Sequence, residues 1–487
     1  MPNRPNLLFI FTDEQRADTL AAYGNPHIAM PNLNHLAAES VVFERTYVTQ
    51  AVCTPSRASL LTGLYPHSHG LTENNLMLSA SIPCLPEMMN ASDYAVSYHG
   101  KWHLGDEIFA QHGFEEFISV EDEYQRYYSP GREPNACSNY HRFLVEKGFQ
   151  PANGRLFGRV EAAHLPEEFG KPAFIAQTAS QFIRGHQKQP FILYVNFLEP
   201  HMPFTSPRDN QYDPARVQLP ENFSHLPGEN NPLKTRLYQQ TYYEQGLGLP
   251  LKSESDWRRM IANYWGLCSL VDTHVGTILD TLQDCELRDN TIVVFTSDHG
   301  DMMGSHRLIA KCVQYEEALR VPFTLRLPGQ TQGMRVHNPT SQVDIVPTLL
   351  DLMGQPIPDH LQGQSLRPWF DPAADNRMPE DVVVEWNGPN NGFGDRIGQV
   401  SIPEPMRALA SEEEIIRATT DPVRTLIAPD GWKLNYSPAG EHELYDLSQD
   451  PYETHNLASQ ADQQTRIPAL VERIRCWQAK TGDTVTI

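Results

Sequence analysis

Four apolar runs in this chain each end in side chains that bind ions or move protons. "NLLFIFT" (6–12) leads into Asp13 and Glu14, and "YAVSYHG" (94–100) leads into Lys101 and His103. "FILYVNFL" (191–198) leads into His201, and "TIVVFTS" (291–297) into Asp298 and His299. Asp13, Glu14, Asp298 and His299 are hard or borderline ligands, suited to a divalent cation. Lys101, His103 and His201 are donors suited to an oxyanion such as sulfate or phosphate. Arg57, within "AVCTPSRASLLTG" (51–63), is another such donor. A cation and basic side chains around one tetrahedral anion make an esterase constellation. Singly each signal is weak, because an Asp after a strand is often a turn or cap and a lone His is more often structural. Their joint placement at the ends of runs carries the reading.

The elements that must deliver these residues follow from the hydropathy pattern. The runs lack alternation, as do strands covered on both faces. Helical segments lie between them: "AFIAQTASQFIRGHQ" (173–187), the stretch Asp256–Asp284, and "VDIVPTLLDLMG" (343–354), stopped by Gly354. Strands alternating with helices predict an α/β fold with a large, mostly parallel, doubly wound sheet flanked by helices. Ligands bind beyond the carboxyl ends of strands in such sheets, where the residues above fall. Pro55 suits the first turn of a short helix that Gly63 stops. Cys53 then stands at that helix's amino end, where free N–H groups favour an anion, with Arg57 one turn on. A plain thiolate nucleophile is one reading of Cys53, and it would need a paired His.

Bulk properties narrow the function. A formal net charge of −22 argues against a nucleic-acid partner, which needs clustered Lys and Arg. No run approaches the roughly 18 apolar residues of a membrane helix. The run Leu7–Phe11 is too short for a leader and reads as a buried strand, so the cytoplasm is the expected location. The seven cysteines are odd in number and scattered, which argues against a disulfide framework and a structural zinc site. The region 203–252, rich in Pro, Asn and charge, reads as a long surface excursion. "FDPAADNRMPE" (370–380) reads as a linker. Residues 1–375 are therefore expected to form the catalytic domain. Residues 380–487 are expected to form a smaller α+β subdomain with an antiparallel sheet and the final helix "IPALVERIRCWQAK".

"CTPSRASLLTG" resembles the signature of the type I sulfatases, in the alkaline phosphatase superfamily, where the Cys of C-x-P-x-R is oxidised to formylglycine. "PNLLFIFTDEQRAD", "GKWHLG", "EPHMPF", "FTSDHGD", "AKCVQYEEALRVPF" and "ELYDLSQDPYETHNLA" are similar to family segments in the expected order. The resemblance implies that Cys53 is the precursor of a formylglycine nucleophile, made by a formylglycine-generating maturation enzyme. It implies that Asp13, Glu14, Asp298, His299 and residue 53 hold one divalent metal. Calcium is the first expectation for that metal, with magnesium and manganese open. Arg57, Lys101, His103, His201 and Lys311 match the anion-binding and acid–base positions. In the implied reaction the hydrated aldehyde attacks sulfur, His201 protonates the leaving alcohol, and His103 helps the second hydroxyl expel sulfate.

Two departures stand out. Asp13-Glu14 replaces the frequent Asp-Asp, which puts coordination by Glu14 in question, and Asp298-His299 replaces Asp-Asn. An imidazole ligand makes calcium less exclusive. Phosphonate monoester hydrolases of the same superfamily also pair Asp with His there. The expected function is hydrolysis of an organic sulfate ester, a carbohydrate sulfate by analogy of "EPHMPF" with family members that act on sugars. A phosphonate monoester or phosphodiester hydrolase is the alternative. A binding protein that lost catalysis is the third reading, and the full residue set argues against it.

Overall fold

The computed structural model describes residues 4–487 apart from 90–92, 247–248, 372–378, 389–392, 394–395 and 464. Its larger sheet contains β1 (Asn6–Asp13), β2 (Val41–Tyr47), β3 (Ala95–Gly100) and β4 (Glu116–Ser119). It also contains β5 (Phe191–Pro200), β6 (Thr291–Ser297), β7 (Arg320–Arg326) and β8 (Met334–Ser341). The spatial order is β4-β3-β5-β1-β6-β7-β2-β8. Only β7 runs against its neighbours, β6 and β2; every other pair is parallel. The expected mostly parallel α/β sheet is therefore present, and the four runs picked out by hydropathy are its centre and one flank.

The continuous apolar runs have a direct cause. Alternate residues of β1, β5 and β6 enter two separate cores. Leu8, Ile10, Leu193, Val195, Val293 and Phe295 pack on one face of the sheet. Leu7, Phe9, Ile192, Tyr194, Ile292 and Val294 pack on the other. Strands buried on both sides have no solvent face to carry polar residues. Helices Lys171–Gly185 and Glu254–Asp284 cover the first face, close to where sequence periodicity predicts them.

Parallel register aligns the strand ends. Thr12 pairs with Ser297, Asp13 with Pro200, and Gly100 with Asn196. Residues 13–14, 101–103, 200–201 and 298–299 thus lie at one edge of the sheet. Gly100 makes a close approach of β3 to β5 possible: its φ is +129°, and a Cβ there would lie 2.1 Å from the Asn196 carbonyl oxygen.

The region 203–252 is not simply a surface excursion. It contains the helix Leu233–Gln245, whose Leu233, Leu237, Tyr238, Thr241 and Tyr242 are buried. These residues recur at helical spacing, and burial of that stripe outweighs the surrounding Pro and Asn.

A second, antiparallel sheet has the order β12-β11-β10-β9, formed by β9 (Val382–Glu385), β10 (Arg424–Ile427), β11 (Trp432–Tyr436) and β12 (Glu443–Asp446). The helix Arg466–Thr481 packs on it through Leu470, Val471 and Ile474. Most of the expected linker, 372–378, lies outside the described residues. Among the described residues, no helix is long and apolar enough to cross a membrane.

The small sheet is tied to the segment after Cys53 by His67. Its Nδ1 lies 2.6 Å from Glu385 Oε1, and its Nε2 lies 3.1 Å from the Thr481 carbonyl. Burial pulls the His67 pKa down, but Glu385 more than reverses this, so the folded value lies above the ordinary 6.5. A proton held more tightly in the folded state adds stability below pH 6.5, and that contribution is lost as pH rises through the folded pKa. His67→Ala should therefore cost about 1.5–3 kcal/mol near pH 6, the range for a hydrogen bond to a charged group. The loss should shrink towards pH 9. Denaturant unfolding of both proteins across that range measures it, and a loss independent of pH would contradict the ion pair.

Candidate active site

Cys53 opens the helix Cys53–Thr62, every residue of which is buried. Its Sγ lies 3.2 Å from His299 Nε2 and 3.7 Å from Asp13 Oδ1. Burial first, and then the Asp13 charge, push the thiol pKa well above its ordinary value. The sulfur is therefore held protonated rather than as a thiolate.

Arg57, one helical turn on, is fully buried and joins the strand ends. Its Nε donates to Asp298 Oδ2 at 2.9 Å and its Nη2 to Asp13 Oδ2 at 2.7 Å. Its Nη1 donates to the Lys101 carbonyl at 2.8 Å and to Asn196 Oδ1 at 2.9 Å. Lys101 Nζ donates to the same Asp13 Oδ2 at 2.6 Å. Burial raises the Asp13 pKa, but Lys101 and Arg57 overcome this and hold the carboxyl well below the usual range. Asp298 goes the other way: burial and the Asp13 charge push it up to about 6.

Two histidines stand beyond this centre. His103 has a positive φ of 59° and stacks on Tyr124, with ring centroids 4.2 Å apart. Its Nε2–H donates to Asn75 Oδ1 at 2.9 Å, while its buried Nδ1 has no hydrogen-bond partner. That leaves Nδ1 as a free basic nitrogen. Burial, with Lys101 and Arg57 adding to it, keeps the ring neutral by pulling its pKa well down. His201 donates from Nδ1 to the Met202 carbonyl at 2.7 Å, so its Nε2 is the accepting nitrogen. Lys311 Nζ lies 3.5 Å from that Nε2. Burial pulls His201 down to about 3 against the opposing Asp13 charge.

Glu14 takes a different direction from the rest of the metal set expected from the sequence. Its φ is 65°. Its carboxylate meets Lys311 Nζ and lies 3.3 Å from His201 Nε2. Asp13, Cys53, Asp298 and His299 each offer one donor atom, all within 4.8 Å of one another, and Glu14 is outside that group. A second potential group joins Asp13, Glu14 and His201.

Sequence reasoning leaves Asn74 and Asn75 open between lining the pocket and making a turn, and it misses Asn196, Gln342 and Tyr124. Asn196 is a polar residue inside a buried apolar strand, and that mismatch was its signal. Asn74 Oδ1 accepts from the Thr54 N–H at 3.1 Å, Thr54 Oγ1 donates to the His103 carbonyl at 2.8 Å, and the Asn75 N–H donates back to Thr54 Oγ1 at 3.2 Å. This web fixes the helix start against the His103 turn. Gln342, reached by Ser56 Oγ at 2.9 Å, and Tyr124 gave no local signal.

The donor set of two carboxylates, one imidazole and residue 53 suits a divalent cation. Calcium or manganese should raise the thermal midpoint of the wild-type protein, because binding to the folded state alone stabilises it. Asp13→Asn and Asp298→Asn should abolish that rise, and Glu14→Gln should reduce it less. Thermal scans with bound metal measured by mass spectrometry read this out. An Asp298→Asn protein that keeps its metal would contradict the grouping.

The same geometry has known relatives. The family model described as Sulfatase matches residues 5–355. An uncharacterised sulfatase, YidJ, of Escherichia coli is 29% identical over 465 residues, covering 93% of this chain and 83% of the relative. The N-acetylglucosamine-6-O-sulfatase of Bacteroides thetaiotaomicron is 24% identical, covering 99% of this chain and 87% of its own. Among solved structures, a phosphonate monoester hydrolase from Silicibacter pomeroyi superposes with a TM-score of 0.78. It is 23% identical, and the match covers 98% of this chain and 96% of that one.

Proposed function

The chain belongs to the sulfatase family of sulfuric ester hydrolases, in the alkaline phosphatase superfamily, and on that premise we propose that residue 53 is the nucleophile for cleavage of a carbohydrate sulfate. One observation carries the reading. A buried helix start brings residue 53 against Asp13 and His299, with Arg57 and Lys101 bound to the same Asp13 oxygen. The sugar assignment draws on the N-acetylglucosamine-6-O-sulfatase relative and on the likeness of "EPHMPF" to members that act on sugars.

The reading adds two groups, a divalent cation and formylglycine at residue 53. Asp13, Asp298, His299 and residue 53 would hold the cation, with calcium our first assignment and magnesium or manganese acceptable to an imidazole ligand. When bound, the metal supplies positive charge that lowers the cost of an oxyanion beside residue 53. The high pKa of the encoded thiol makes Cys53 a poor nucleophile as it stands. Conversion by a formylglycine-generating maturation enzyme supplies an aldehyde whose hydrate has one hydroxyl to attack and one to release the product.

The remaining roles fall to the chain's own groups. Arg57 orients Asp13 and Asp298. Lys101 and Lys311 offset negative charge on the sulfuryl oxygens. His201 Nε2, unprotonated as it stands and 3.5 Å from Lys311 Nζ, takes a proton from the Lys311 ammonium and passes it to the leaving alcohol, leaving Lys311 neutral. His103 Nδ1 accepts a proton when the product leaves.

The Asp298-His299 pair favours a second reading, a phosphonate monoester or phosphodiester hydrolase. The kcat/KM ratio for a sulfate and a phosphonate monoester of the same phenol decides between the two.

Activity should scale with the aldehyde fraction at residue 53, read by peptide mass spectrometry across 51–57. Full activity in wholly unmodified protein would remove the mechanism. His201→Ala should slow sugar sulfates about 10²–10⁴-fold, the range for general acid catalysis, while 4-nitrophenyl sulfate loses far less because its phenolate leaves unprotonated. Lys101→Ala should slow both alike. Equal slowing by His201→Ala would make His201 an anion-binding residue and transfer the acid role to Lys311.

A further inference from the structure

One buried cation lacks a counter-ion among the described residues. Lys234, in the first turn of the helix Leu233–Gln245, is 7% exposed. The other buried lysines each meet a carboxylate: Lys101 meets Asp13, Lys171 meets Glu121, and Lys433 meets Glu316 and Glu453. Lys234 forms no ion pair with any carboxylate among the described residues. Its Nζ lies instead over the Trp386 ring, 3.1 Å from the centroid, with the Tyr238 ring centroid 5.7 Å away. Both rings are fully buried, and Trp386 is fixed by its Nε1–H donating to the Thr419 carbonyl at 3.0 Å.

An aromatic face offsets only part of the cost of a buried ammonium, well short of an anion at hydrogen-bond distance. Burial accordingly pulls the Lys234 pKa down to about 7, against the weaker opposing influence of Cys312, Asp421 and Glu443. Cys312 links this lysine to the centre. The Cys312 N–H donates to the Ala51 carbonyl at 3.2 Å, two residues before Cys53, and Lys311 precedes it in the chain. Burial pushes the Cys312 thiol up to about 11, and the groups close enough to act on it are Lys234, Lys311 and Cys53.

We infer that Lys234 binds a second anionic group, a carboxylate or another sulfate, on the alcohol portion of the substrate, beside the sulfate that is cleaved. The inference rests on the sulfatase reading of residue 53. An ammonium has three donors and no acceptor, and the ring occupies one side of it, so the N–H groups on the other side suit an anion. The preferred substrate is then a sugar carrying a uronic carboxylate or more than one sulfate.

The test uses pairs of monosaccharide sulfates that share the cleaved ester and differ by a second anion. N-acetylglucosamine 6-sulfate against N-sulfoglucosamine 6-sulfate is one pair, and xylose 2-sulfate against glucuronic acid 2-sulfate is another. Lys234→Met keeps the apolar stem on Trp386 and removes the charge. It should lower kcat/KM for at least one dianionic member about 10–100-fold more than for its partner, chiefly through KM, the range for a hydrogen bond to a charged group. Lys234→Arg should restore most of the difference. Equal effects within every pair, or none, would overturn the assignment. Lys234→Gln is read in the same way if the Met protein does not fold. Should wild-type protein with a verified aldehyde cleave no sulfate ester, the sulfatase reading fails separately. Calorimetric titration with the intact dianionic esters then still judges Lys234. About tenfold weaker binding by Lys234→Met supports the assignment, and equal binding overturns it.

Discussion

A single guanidinium permits the centre to exist. Asp13 and Asp298 are fully buried at the ends of adjacent strands, where two unscreened carboxylates repel strongly. Arg57 lies between them and gives each a separate N–H, while its third nitrogen reaches the Lys101 carbonyl after β3 and Asn196 within β5. Removing one partner from a buried ion pair typically costs about 3–5 kcal/mol, because the other charge is left without compensation. Lysine has no fork and could not span both carboxylates. The helix start is located by the same contact, since residue 53 precedes Arg57 by one turn.

The surrounding charges balance closely. Arg57, Lys101 and Lys311 stand against Asp13, Glu14 and Asp298, one for one. These side chains alone therefore have little net attraction for an anion, within a chain whose net charge is −22. A divalent cation would tip the balance. Anion affinity and metal occupancy should accordingly be properties of one electrostatic unit.

Much of this was legible in the sequence, for identifiable reasons. Runs buried on both faces are continuous, so β1, β5 and β6 announced themselves, and parallel register carried the residues after them to one edge. Cys53, Pro55 and Arg57 could be read together because one helix holds all three. Other parts depended on tertiary contacts that no local pattern encodes. β2, in "VVFERTY", is interrupted by half-exposed Glu44 and Arg45 and irregular in register, and its place beside β7 is set from about 280 residues away. The direction of Glu14 follows from a positive φ, a conformation that its residue type does not advertise. The helix Leu233–Gln245 was hidden by the Pro and Asn around it.

Cys53 is 2% exposed, and every residue from Val52 to Leu64 is buried. Another protein cannot reach that sulfur without unwinding the helix and parting it from the sheet edge. If residue 53 is converted as proposed, conversion would have to come first, while the segment is still open chain. Folding then closes a window in time. Each molecule would then be committed, as its core forms, to being converted or not, and a preparation would become a fixed mixture that later exposure to the proposed maturation enzyme could not improve. Slower folding would widen the window, so the rate at which the helix is captured by Asp13 and Asp298 would bear on yield as directly as the affinity of the maturation enzyme does.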